Sequence, residues 1–171
     1  MVHSRIELVQ GDITSLDVDA IVTAANESLM GGGGVDGAIH SAAGPALLDE
    51  CRAIGICPEG EARITGAYQL PIKHIIHTVG PVWDGGGYGE AETLAACYRA
   101  SLQLAQDNNI GRIAFPCIAT GVYLFPKEQA CQIAVTSVAD WLGNHTEPQK
   151  VIFCCFEDAD YQLYKTLLSS P

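Results

Sequence analysis

The chain has 171 residues, 48% of them hydrophobic and 17% charged, and carries a formal net charge of −11. That apolar content excludes intrinsic disorder, the length suits one domain with a full core, and the acidic balance excludes nucleic-acid binding through a basic surface. A single domain over residues 1–171 is expected, and any anionic ligand must be held locally.

The opening MVHSRIELVQGD lacks the apolar core of a signal peptide, and no run approaches the roughly 20 apolar residues of a membrane span. A soluble, cytoplasmic protein without a membrane partner is the expectation. RIELVQ alternates as a strand, and Gly11-Asp12-Ile13-Thr14 breaks it with turn chemistry. Residues 20–25 form a short apolar run that reads as a buried strand of a partly parallel sheet. The strand feeds a loop with four consecutive glycines at 31–34. From Val35 a helical pattern runs through Ala38, Ile39 and Ala42, breaks at Gly44-Pro45, and resumes through Leu47, Leu48 and Cys51. Residues 52–60 read as a loop.

Segments 62–67 and 72–79 are the next strands, the second closed by Gly80-Pro81. WDGGGYGE is a loop, and 92–108 carries Leu94, Ala95, Tyr98, Leu102 and Ala105 at helical spacing. Residues 113–118 form a strand in which Pro116 marks a terminus, an edge or a bulge. A second loop at 119–126 precedes a helix over 127–142, whose stripe includes Ala130, Ile133, Ala134, Val138 and Trp141. A strand at 151–156 and a helix at 158–168 close the chain. Strands alternating with helices predict an α/β domain of three layers, α/β/α, with a central mixed, largely parallel sheet. Ligands of such sheets sit at the carboxyl ends of strands, where both glycine-bearing loops, 26–34 and 119–125, emerge.

Four glycines in a row cost conformational entropy and allow close backbone approach, which suits a ligand loop. Opening a helix, they aim N–H groups at one spot, as a phosphate requires. Neither loop contains Lys or Arg, so backbone N–H groups alone would hold phosphates. Gly32-x-Gly34-x-x-Gly37 matches the dinucleotide fingerprint in form, but residues 26–30 intervene between strand and glycines, which leaves a nicotinamide oxidoreductase only as an alternative. No Gly-Lys-Ser/Thr occurs.

Asp36 is out of place beside a phosphate site, so it either faces away at the helix start or serves chemistry. Four residues on, His40 shares its helical face, either as a packed His or as a partner. Asn26 at a strand end is an N-cap or Asx-turn residue, or a donor and acceptor for a ribose hydroxyl pair. Asp12 is a turn residue or an acceptor for an adenine amino group, and Phe156 is core or flanks a base. His74 and His77, three apart on a strand, point to opposite faces and read as structural. Cysteines at 51, 57, 97, 117, 131, 154 and 155 read as reduced core residues; without C-x-x-C or a His-rich cluster neither a zinc site nor a disulfide framework is expected.

QGDIT at 10–14, AAN at 24–26, SLMGGGGVDGAIHSAAGPAL at 28–47, CPEGEA at 57–62, HTVGP at 77–81 and TGVY with a following Pro at 120–126 together resemble the macrodomain family. The similarity is to its MacroD-type branch, which includes bacterial O-acetyl-ADP-ribose deacetylases, and it extends over nearly the whole chain. The resemblance implies that the ligand is ADP-ribose, with Asp12 and Ile13 at the adenine. Gly32, Gly33, Gly34 and Val35, together with Ala119, Thr120, Gly121, Val122 and Tyr123, would wrap the diphosphate, and Asn26 would hold the distal ribose beside Asp36. Asn26 and Asp36 correspond to the family's catalytic pair. An aspartate with an ordinary pKa of about 3.9 is a weak base, so its part would be to place a water or ribose hydroxyl. The implied reaction is hydrolysis of ADP-ribose esters, on O-acetyl-ADP-ribose and on protein carboxylates, with no metal or redox cofactor; the alternative is a module that binds ADP-ribose without turnover. Attack at the acyl and at the anomeric carbon are both open. Thr23, Ala119 and Leu124 stand where the family commonly has Asn, Ser and Gly.

Overall fold

The computed structural model describes residues 4–169. Its elements follow in the order β1 (Ile6–Gln10), β2 (Ala20–Ala24), α1 (Gly34–Ala43), α2 (Pro45–Ile54), β3 (Ala62–Gly66), β4 (His74–Thr78), α3 (Glu90–Asp107), β5 (Arg112–Phe115), α4 (Lys127–Asn144), β6 (Lys150–Cys155) and α5 (Asp158–Leu168). One six-stranded sheet runs in the order β1-β6-β5-β2-β4-β3. Every pair is parallel except β3 with β4.

Alternation along each strand sorts the side chains into two cores, one on each face. Ile75 and Val79, flanking His77, and Ile21, flanking Thr23 with Ala25, pack with Ile39, Leu47 and Cys51 of α1 and α2. Val22, Ile76, Phe115 and Phe153 face the opposite way, toward Leu94 and Tyr98 of α3, Val138 of α4 and Tyr164 of α5. The sheet therefore lies between two helical layers, as the alternation of elements predicts. No helix among the described residues is long and apolar enough to cross a membrane.

Several element ends differ from the sequence reading by one to three residues, and three of them have a clear physical cause. Helix α2 continues past Cys51 to Ile54 and stops at Gly55, whose φ of 95° and N–H bond to the Cys51 carbonyl end the helix. Helix α3 starts at Glu90 rather than 92, because the Glu90 carboxylate turns back to accept from the N–H groups of Asp84, Gly86 and Tyr88 at 2.7–2.9 Å. Strand β5 stops at Phe115, so Pro116 is a terminus; an interior proline would remove a ladder bond from this central strand.

Because β1, β2, β4, β5 and β6 are parallel, their carboxyl ends share one edge of the sheet. Asp12, Phe156, the 119–126 loop and the glycine loop leave that edge after β1, β6, β5 and β2, in the spatial order of those strands. With strands about 4.8 Å apart, the row from β1 to β2 spans about 14 Å.

Candidate functional site

The glycine loop is shaped by backbone needs at particular positions. Gly31 and Gly34 hold φ of 91° and 59°, which L side chains adopt only under strain. Gly37 is required for a different reason: a Cβ there would lie 2.5 Å from the Gly32 carbonyl oxygen, so its absence lets α1 close onto the loop. No side chain caps α1, which leaves the N–H groups of its first turn, at Gly34, Val35 and Asp36, open to a ligand's oxygens.

Asp36 is buried, only 5% exposed, and turns inward from those N–H groups. Its Oδ1 accepts from the Thr23 hydroxyl at 2.9 Å and lies 3.7 Å from His40 Nε2. Its Oδ2 faces Gly32, 3.9 Å from the point a Cβ would occupy, and Asn26 Nδ2 lies 3.7 Å from the same point. Asn26 and Asp36 thus flank one small gap that the glycine keeps open. Burial raises the Asp36 carboxyl above the ordinary carboxylate value, against the lowering by Thr23 and His40. This corrects the expectation of an ordinary, weak base.

Asn26 is not an N-cap, since Gly33 occupies that position of α1. Its carboxamide donates to the Gly31 carbonyl at 3.0 Å and accepts from Ser28 Oγ at 2.8 Å, which ties it to the loop. Asp12 caps the short 3-10 turn 13–15, accepting on Oδ1 from the hydroxyl and the N–H of Thr14, and these bonds lower its carboxyl. Ile13 is buried, so only its backbone can meet a ligand. Phe156 is 74% exposed, which overturns core packing; it follows β6, the strand paired with β1, whose chain continues to Asp12.

In the second loop, Ala119 and Leu124 hold φ of 67° and 62°, and Phe125 N–H closes the loop on the Ala119 carbonyl at 2.9 Å. The left-handed geometry at Leu124 explains why a glycine would be at home there. A Cβ on Gly80 would meet the Ala119 Cβ at 2.9 Å, so this glycine lets the loop pack on the chain leaving β4. Trp83 N–H donates to the Tyr123 carbonyl at 2.8 Å. Thr120, Gly121, Val122 and Tyr123 remain at least partly exposed.

Two contacts escaped the sequence reading. Thr23 and His77 are register partners on β2 and β4, so both side chains emerge under α1. Thr23 thereby reaches Asp36, while fully buried His77 meets not His74 but His40 of α1 and Cys51 of α2. Burial and the neighbouring His40 push His77 down to about 4, and burial with Asp36 pushes the Cys51 thiol up to about 11. Only the i,i+4 spacing of Asp36 and His40 was visible beforehand.

Comparison with known proteins gives a consistent picture. Residues 22–134 match the model of the Macro domain. The chain is 54% identical to an O-acetyl-ADP-ribose deacetylase of Salmonella gallinarum, over 97% of this chain and 95% of that one. It is also 54% identical to the human ADP-ribose glycohydrolase MACROD2, over 94% of this chain but 38% of that longer protein. A mutant of the Oceanobacillus iheyensis macrodomain, solved with ADPR, superposes with a TM-score of 0.93 at 41% identity, covering 98% of this chain and 96% of its own.

Proposed function

The chain belongs to the Macro domain family, and from that premise we propose that it is an ADP-ribose-binding hydrolase which deacetylates O-acetyl-ADP-ribose and removes ADP-ribose from modified carboxylate side chains. The observation that carries this reading is the gap over Gly32, flanked by the Asn26 carboxamide and by Oδ2 of a buried Asp36. A binding module has no use for a desolvated carboxylate at that position, whereas a base gains proton affinity from it.

The order of strands supports the arrangement of the ligand, on one domain. Adenine lies at the β1/β6 end, between Asp12, the Ile13 backbone and Phe156. The diphosphate takes the N–H groups of the α1 first turn and of 119–123, and the distal ribose sits by Asn26 at the end of β2. Asp36 then accepts a proton from a water placed against the ester, and the diphosphate beside it helps to orient that water. Side chains and backbone suffice for this chemistry, without a metal or redox cofactor.

Acetate release from O-acetyl-ADP-ribose tests the proposal. Asp36→Ala is expected to lower kcat at least ~100-fold while calorimetric binding of ADP-ribose persists. Equal rates for both proteins would remove Asp36 from the reaction. Tight binding with no product from the wild type would favour the binding module, and preference for NADH over ADP-ribose would favour the oxidoreductase.

A further inference from the structure

Beneath α1 lies a polar island that the proposed hydrolysis does not use. His40 on α1, Cys51 on α2 and His77 on β4 each bring one ring nitrogen or thiol sulfur within 4.8 Å of the other two. Cys51 and His77 are fully buried. Nε2 of His40 and Nδ1 of His77 are buried and have no hydrogen-bond partner among the described residues. Unpaired polar atoms in a core are costly, and two of them in one cluster ask for a shared partner.

The surrounding bonds assign the kind of nitrogen His77 offers. The Thr65 hydroxyl gives its single proton to the Gly66 carbonyl at 3.0 Å, so at 2.9 Å it accepts from Nε2–H of His77. Nδ1 then carries a bare lone pair. Imidazoles that bind metals are held in this way, the second ring nitrogen donating to a neighbouring group that fixes tautomer and orientation.

Two imidazoles and a thiol suit a borderline-soft divalent cation and disfavour magnesium or calcium. We propose that His40, Cys51 and His77 form a zinc site, that the Asp36 carboxylate, 3.7 Å from His40 Nε2 but outside the group of atoms lying within 4.8 Å of one another, moves in as the fourth ligand, and that zinc bound there switches hydrolysis off. Neighbouring ligand atoms of a tetrahedral zinc site are about 3.3–3.8 Å apart. The His40–Asp36 separation already falls in that range, and the wider triad needs to contract by at most about 1.5 Å. On binding, an S–Zn bond forms and the thiol proton leaves to solvent. The carboxylate that would take the water's proton is then held by the cation. The inhibitory half rests on the hydrolase reading above; the site itself does not.

The test uses the full chain, stripped with EDTA and titrated with Co²⁺ and Zn²⁺. One equivalent of Co²⁺ is expected to produce a thiolate-to-cobalt charge-transfer band and the intense visible bands of a tetrahedral site, both bleached by one equivalent of Zn²⁺. Cys51→Ala removes the charge-transfer band and weakens Zn²⁺ binding at least ~100-fold, more than the loss of an outer-shell partner does. Cys117→Ala, at the least buried thiol, changes neither. If the alanine variant does not fold, Cys51→Ser keeps the volume and equally lacks the thiolate band. Wild-type protein without the band, or a Cys51 variant that retains it, overturns the site.

In the acetate-release assay, Zn²⁺ is expected to lower wild-type turnover at least tenfold, whereas Cys51→Ala keeps full turnover and ignores the metal. Zinc bound with undiminished turnover overturns the switch. Metal-free protein that shows the cobalt bands on titration but never releases acetate refutes the hydrolase reading and leaves the site standing.

Discussion

Replacing Thr23 by Val preserves the side chain's shape and deletes one hydroxyl, the donor to Asp36 Oδ1 at 2.9 Å. Thr23 is 0% exposed and Asp36 5%, so water does not replace the lost bond. A hydrogen bond to a charged acceptor contributes about 1.5–3 kcal/mol, and that is the expected loss of stability in urea melts at pH 7.5. For a domain of this size the loss corresponds to a fall in Tm of roughly 3–12 °C. Because Thr23 faces the carboxylate and not the ligand loops, kcat for O-acetyl-ADP-ribose should fall at least tenfold while KM changes less than about threefold. Thr23→Ser is the control: it keeps the hydroxyl and loses one buried methyl, costing about 1 kcal/mol, with kcat retained. A valine variant that loses less than about 0.5 kcal/mol and keeps its kcat would refute the idea that this bond positions an ionised Asp36.

Other outcomes follow from the same geometry. Phe156→Ala should weaken ADP-ribose binding by about 1–3 kcal/mol in calorimetry, the range of one aromatic–base stack, without lowering Tm, because the side chain is largely exposed. Gly37→Ala puts a Cβ 2.5 Å from the Gly32 carbonyl; it should cost about 1–3 kcal/mol in urea melts and weaken ADP-ribose binding as the loop shifts. Leu124→Gly exchanges left-handed strain at φ 62° for greater unfolded-state entropy, with a net gain between 0 and about 1 kcal/mol by thermal melts. Three backbone N–H groups hold Glu90 down to about 2 in the folded state, against an ordinary value of 4.5. Its contribution to stability is complete above 4.5 and disappears as pH falls through 2, so the stability gap between wild type and Glu90→Gln should shrink over that window; a gap independent of pH would count against the assignment.

Much of the fold was legible because its signals are local. Period-two and period-3.6 apolar patterns, with Gly and Pro as punctuation, located every strand and helix to within a few residues. One shifted end depends on another segment: Glu90 starts α3 by capping a loop that precedes it, and no pattern within 92–108 reports that. Asn26, Asp36 and the two loops were recognisable from residue type and motif order. Phe156 was ambiguous, since an aromatic ending an apolar run looks the same whether it points into the core or out to solvent.

The amino-acid sequence by itself determined a layered α/β chain with two cation-free ligand loops at strand ends and a carboxylate among the glycines. Tertiary structure alone decided what that carboxylate is. Parallel pairing of β2 and β4 sets Thr23 beside His77, and α1 laid across them brings Asp36 onto the Thr23 hydroxyl and His40 and Cys51 toward the His77 ring. Proton affinity, hydrogen bonding and metal-ligand geometry depend on burial and on distances of a few ångströms between segments remote in sequence, and those arise only when strand register and helix packing are in place.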